Sequence, residues 1–212
     1  MKIAVIGGSG MAGSAIVKEA VSRGNEVAAF VRDAGRARKV LGEGFSVVSK
    51  DAFALQKADL ESFDVVVDAF RPPVKESYRQ VDLAARLVAL FRETEKPRLF
   101  FILGAGSLLD ADGRPFLEAI RKMPGAEAWV ATPEEQFKEL AFLRGVQNVN
   151  WVGVSPSARF EEGPAHPPKL GTDHLLTAED GASHVTNGTL AAAVLNEIER
   201  PSVRRGRFTV SD

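Results

Sequence analysis

The opening stretch, Lys2–Gly13 (KIAVIGGSGMAG), constrains this chain more than any other. Ile3–Gly7 is a short, β-branched apolar run, the pattern of a strand buried on both faces. Gly7, Gly8, Gly10 and Gly13 follow at once, and then Ile16, Val17, Ala20 and Val21 recur at helical spacing until Gly24 stops the pattern. Strand, glycine turn and helix in that order form the context in which a G-x-G-x-x-G run holds a diphosphate. The first glycine permits the tight turn. The middle one lets the main chain approach a pyrophosphate, and the last lets the helix lie close to the strand. The helix start then offers free N–H groups and the positive end of its dipole. No Gly-Lys-Ser/Thr follows, so a Walker loop is excluded.

Downstream, apolar runs alternate with helical patterns. Strands are expected at Glu26–Arg32, Phe45–Asp51, Asp64–Phe70, Arg98–Gly104 and Asn148–Pro156, with a last one at Arg207–Val210. Asp33 is placed to cap a short basic helix over Arg36–Leu41. A long helix is expected over Tyr78–Thr94, with Val81, Ala84, Ala85, Val88 and Phe91 inward. Thr132-Pro133-Glu134-Glu135 reads as a helix start with Thr132 as N-cap, running to about Arg144. Ala178–Gly181 reads as the turn of a short hairpin, and Asn187–Glu199 as a final helix with Leu190, Ala191, Val194, Leu195 and Ile198 inward. Strand–helix alternation predicts right-handed crossovers and a parallel sheet covered on both faces, in one domain over residues 1–212. Segments at about 105–131 and 157–185 interrupt the alternation and are expected to form a small annex beside the sheet's carboxyl edge.

The end of the second strand selects the dinucleotide: an acid there suits the ribose hydroxyls of NAD, an arginine the 2′-phosphate of NADP. Arg32 stands about 20 residues past the glycines, with Arg36 and Arg38 nearby, and a guanidinium–phosphate fork favours NADP(H). Asp33 is the competing feature and points to NAD. A net charge of −1 and the short basic run Arg200–Gly206 offer no footprint for nucleic acid. No apolar stretch reaches the length of a membrane span, and no cysteine is present, which removes disulfide and thiolate chemistry. A cytoplasmic monomer or homodimer is expected. His166, His174 and His184 match no metal-ligand spacing, so no metal site is expected.

The segments AVIGGSGMAG, AFVRD, VVSKDAF, DVVVDAF, RLFFILGAGSL, WVGVSPSARF and LAAAVLNEIERPSVRRGRFTV span the chain in order. Together they resemble the atypical short-chain dehydrogenases of the NAD(P)H-binding, NmrA-like group, in particular small bacterial proteins described as NADH-flavin reductases, relatives of biliverdin reductase B. The resemblance implies a Rossmann-type, doubly wound α/β fold. It places Ser9, Gly10 and Met11 along the pyrophosphate, Arg32 at the adenosine phosphate, and Asp51 and Ala52 at the adenine. Ala69 and Phe70 would lie over the ribose and the middle of the cofactor. Gly104, Ala105 and Pro156 would flank the nicotinamide, with Ser107 where the group's active-site serine stands. The Tyr-x-x-x-Lys pair of carbonyl-reducing members is absent: the one tyrosine is Tyr78, and position 82 is Asp. Carbonyl reduction builds an alkoxide that wants a nearby acid, whereas a flavin spreads the incoming charge over its rings. The expected activity is therefore hydride transfer to a planar acceptor, a flavin or quinone taken as substrate, between residues 105–130 and 157–175. Phe116, Trp129 and Phe160 are candidates to stack that ring, and His166 to touch it. The alternative is a dinucleotide-binding sensor without catalysis. An epimerase of nucleotide-sugars would want the missing pair.

Overall fold

The computed structural model describes residues 1–212. The opening apolar run is strand β1 (Lys2–Ile6), and its side chains divide between two cores. Ile3 and Val5 enter one buried cluster, Ala4 and Ile6 the other. A strand covered on both faces needs such an unbroken apolar run, because no side chain faces water. The chain continues through α1 (Met11–Ser22), β2 (Glu26–Val31), α2 (Ala34–Leu41), β3 (Ser46–Ser49), α3 (Lys57–Leu60), β4 (Val65–Asp68), α4 (Arg79–Leu90) and β5 (Thr94–Ile102). Next come α5 (Leu117–Ile120), α6 (Ala131–Arg144), β6 (Val149–Pro156), β7 (Arg159–Glu161), β8 (Lys169–Gly171), β9 (His184–Thr186), α7 (Asn187–Glu199) and β10 (Gly206–Ser211).

Eight strands form one sheet in the order β3-β2-β1-β4-β5-β6-β10-β8. All pairs are parallel except β10–β8. This is the doubly wound Rossmann-type sheet expected from the alternation. Helices α1 and α7 pack together on one face, α4 and α6 on the other. The chain order reverses between β1 and β4, so the crossovers diverge there and leave a crevice at the carboxyl ends of the strands.

Three local expectations need correction. Thr132 lies inside α6 rather than capping it: Val130 is the N-cap, and the Thr132 hydroxyl meets Ser77 Oγ at 3.1 Å in the interior. A tertiary partner has replaced the local one. The Ala178–Gly181 turn closes, with the Ala178 amide donating to Ala182 O, but its flanks do not pair as a hairpin. Instead β9 runs parallel to β7 in a separate two-stranded sheet. The helix before β5 ends at Leu90; Ala84, Val88 and Phe91 are buried as expected, but Val81 and Ala85 are only half-buried and Gln80, Leu83 and Leu87 complete the inward face. The Asp33 cap holds: its carboxylate accepts from the Arg36 amide at 2.9 Å. So does the inward stripe of α7.

Candidate functional site

A groove follows the carboxyl edge of the sheet across the switch between β1 and β4. It has two halves, with empty volumes of about 670 and 1290 Å³, which share Gly10, Ala69, Phe70 and Arg71 in their walls. The smaller half lies at the ends of β1, β2 and β3, and the larger at the ends of β4, β5 and β6.

The glycine loop joins the halves, and its four glycines have separable causes. Gly7 has φ +76°, and a Cβ there would stand 2.5 Å from Ala69 O. A Cβ on Gly8 would meet the Ala29 methyl at 2.8 Å, and one on Gly13 would lie 2.3 Å from Gly7 O. These three are required by the turn and by close strand–helix packing. Gly10 is different. It is exposed, has φ −80°, and its nearest neighbour for an added Cβ is Gly7 O at 3.3 Å. The fold constrains this glycine least of the four, through one close carbonyl; a ligand pressed against the main chain would add a reason for it. Gly10 is also the N-cap of α1, no side chain caps that helix, and no acid occupies its first turn. Its leading amides are left for an anion.

The smaller half is cationic. Arg32, Arg36, Lys50 and Arg71 line it, and no acid does. Lys50 is neutralised by Asp59, at 2.6 Å. Of the arginines around α2, Arg38 alone reaches a carboxylate, Glu43 at 3.9 Å. Ser9 and Ala52 also line this half. Asp51 does not: its carboxylate accepts from the Phe53 amide at 2.8 Å and caps the turn beginning at Ala52. Asp33 is likewise committed to the start of α2 and absent from the wall.

The larger half is mostly apolar. Met11, Gly104, Ala105 and Pro156 line it, together with Trp129 and Phe160. Arg71 is its one charged side chain, and Thr132, Gln136 and Ser157 are its polar ones. Phe116 is not part of the wall, nor is any residue beyond Phe160 in the 157–175 segment. His166 lines a separate cleft with Asp180 and His184, whose ring stands 3.1 Å from both Asp180 and Asp212. Tyr78 is 55% exposed and borders neither half.

Ser107 is buried and outside the groove wall. Its hydroxyl accepts from Arg207 Nη1 at 3.1 Å, and the same guanidinium reaches Ser155 Oγ at 3.0 Å and the Asp173 carboxylate. Burial pulls the Arg207 guanidinium below its ordinary pKa, while Asp173 acts the other way. Ser107 therefore anchors the loop after β5 to β10 and faces a fixed cation rather than the groove.

Two features, one in the groove wall and one beneath it, escaped the sequence reading. Arg71 follows Ala69 and Phe70 at the end of β4, and the rule that ligands sit beyond strand ends would have found it. Glu139 is one turn beyond Gln136 on α6 and 4% exposed, next to buried Leu140 and Leu143. A glutamate on an apolar stripe was its only signal.

The comparisons agree with this geometry. Residues 7–201 match the family model described as NAD(P)H-binding. The uncharacterized YwnB protein of Bacillus subtilis is 33% identical, over 99% of this chain and 98% of its own. A protein of Lactobacillus casei is 42% identical, with a TM-score of 0.92 over 100% of this chain and 99% of that one. A candidate NADH-flavin reductase of Streptococcus pneumoniae is 31% identical, with a TM-score of 0.89 over 100% of this chain and 99% of its own. A diphosphate cradle at the start of α1, a cationic pocket on one side of it and an apolar pocket on the other suit one extended dinucleotide, and the chain belongs to the NAD(P)H-binding family of Rossmann-type, atypical short-chain dehydrogenase-like proteins.

Proposed function

We propose that the protein is an NADP(H)-dependent oxidoreductase that passes hydride to a flat, apolar acceptor of the flavin or quinone kind. The observation that carries this reading is the asymmetry of the groove: cations without acids at one end, aromatic and aliphatic walls at the other. Arg32 and Arg36 are placed for the 2′-phosphate, since a guanidinium fork matches phosphate oxygens and no carboxylate competes. The engagement of Asp33 at α2 weakens the NAD alternative.

Ser9, Gly10 and the amides of Met11 and Ala12 hold the diphosphate. Ala69 and Phe70 cover the middle of the groove. Gly104, Ala105 and Pro156 border the ring, and Trp129 and Phe160 sandwich the acceptor and exclude water. The reduced nicotinamide, when bound, supplies the hydride. The protein's task is contact and orientation, which lower the barrier without an acid–base pair. Neither Tyr78 nor Ser107 reaches the reacting rings in this arrangement.

The test is steady-state oxidation of NADPH and of NADH with FMN, riboflavin or menadione, beside calorimetry of both dinucleotides. Turnover with at least one planar acceptor and tighter binding of NADPH than of NADH are expected. Binding without turnover on any of them would move the protein to the sensor class. Binding of neither dinucleotide would remove both readings.

A further inference from the structure

Beneath the groove, Asp68 and Glu139 are buried with no cation to meet them. Asp68 ends β4 and alternates with Val66, so it lies on the sheet face covered by α4 and α6. It is 7% exposed. Glu139 comes to the same face from α6. The residues that follow Asp68, Ala69 and Phe70, line both halves of the groove, and Gln136, one turn before Glu139, lines the larger half.

The surroundings contain little to balance a negative charge. In register beside Asp68 stand Ile6 of β1 and Phe101 of β5. The buried side chains of α4 include none that titrates, and α6 contributes only Glu139. Arg71 is exposed, on the groove side. The one hydrogen bond to the Asp68 carboxylate is the Phe70 amide at 3.0 Å. Burial pushes Asp68 up to about 7, the Phe70 amide working against it. Burial, and then the charge of Asp68, push Glu139 well above the usual carboxylate range. Two such groups titrate as a pair and keep a proton near neutral pH.

We propose that the Asp68–Glu139 pair discriminates between the two redox states of the bound dinucleotide: ionised, it favours the cationic oxidised ring, and protonated, the neutral reduced one. This rests on the reading that the groove holds NADP(H) with its ring at the ends of β5 and β6. The two forms differ by one positive charge at that ring and are otherwise matched, including the 2′-phosphate. Any pH dependence of their affinity ratio therefore reports on the protein beside the ring. By linkage, the oxidised form binding to the protonated pair must release a proton to solvent. The pair thus couples product affinity to pH without touching either substrate.

Calorimetry of NADP⁺ and NADPH across pH 6 to 8.5, in two buffers of different ionisation enthalpy, tests this. The affinity ratio should move toward NADP⁺ by about five- to tenfold as pH rises, a ring–carboxylate interaction on the order of 1 kcal/mol. Proton release should accompany NADP⁺ binding alone. In Glu139→Gln the step should lose height and keep its midpoint, because burial rather than Glu139 raises Asp68 and only Asp68 is left to ionise. In the Asp68→Asn/Glu139→Gln double variant it should vanish. Should the double variant not fold, the reduced height of the step in Glu139→Gln still decides. Tight binding with a flat ratio in the native protein, or an unchanged step in the variants, overturns the proposal alone. Failure to bind either dinucleotide overturns it together with the reading beneath it.

Discussion

The two edges of the sheet treat buried charge in opposite ways. At the amino edge, Arg98 of β5 is 8% exposed and fully engaged, donating to Glu197 O at 3.0 Å, Glu197 Oε1 at 2.6 Å and Val203 O. Glu197 in turn accepts from the Ser202 and Val203 amides and the Ser202 hydroxyl. Burial acts to raise the Glu197 carboxyl, and the bonds from Ser202 and Arg98 outweigh it and hold it low. Lys96 and Asp64, and Arg23 with Glu19 and Glu199, add surface pairs on the same side. At the carboxyl edge, Asp68 and Glu139 share the interior without a cation. Arg32, Arg36 and Arg71 surround a groove with no acid in its walls beside them. A buried charge without its counterion costs stability and is kept where something else uses it. The amino edge closes the fold, and the carboxyl edge leaves its charges open on a groove, as the proposed dinucleotide site requires.

If that contrast is right, substitutions at the two edges should separate stability from binding. The largest effect is expected for Arg98→Met, which strands Glu197 and its ring of donors. A loss of about 3–5 kcal/mol in chemical denaturation is expected, with dinucleotide affinity unchanged in whatever fraction folds. A weakened affinity would show that the amino edge reaches the site. Next is Gly10→Ala. Its Cβ would stand 3.3 Å from Gly7 O, so that carbonyl must give slightly and the melting temperature should fall by only about 2–4 °C, while NADPH affinity falls by roughly 100-fold, about 2.7 kcal/mol. A large drop in melting temperature with binding retained would return Gly10 to the structural glycines. Arg32→Ala should weaken NADPH by about 10- to 30-fold and NADH by little, each read by calorimetry. Equal losses would remove the 2′-phosphate role.

The smallest effect tests the uncompensated carboxyl. The folded pKa of Asp68, about 7, is above its unfolded value near 3.8. Its protonated form therefore favours the fold below about pH 4, and that contribution is lost as pH rises toward 7. Asp68→Asn removes the loss, and its melting temperature should exceed that of the native protein by about 2–4 °C at pH 8 and match it at pH 4. A variant less stable at pH 8 would mean that the carboxylate has a partner there.

Much of the fold was readable because it is local. The β1 run, the glycines and the α1 pattern specify a strand, a turn and a helix through neighbours a few residues away. The α7 stripe and the Asp33 cap did the same. The glycine loop was also legible as a backbone shape able to present amides to an anion, because only a small set of such shapes exists. Reading failed where a distant group competed with a near one. Thr132 had the sequence of a cap and went to Ser77, 55 positions away. Ser107 held an active-site position by resemblance and was taken by Arg207, 100 positions on. Asp51, the acid at the end of β3, shows the converse: a near partner holds it, the Phe53 amide two positions on.

Sequence alone therefore determined the order of elements, the two-faced core and the glycine turn between β1 and α1, all consequences of short-range sterics, hydrogen-bond periodicity and the burial of apolar runs. Tertiary structure alone decided which charges are satisfied. A charge's environment depends on the groups that topology brings across the sheet, and Asp68 and Glu139 become neighbours only when α6 folds back over β4.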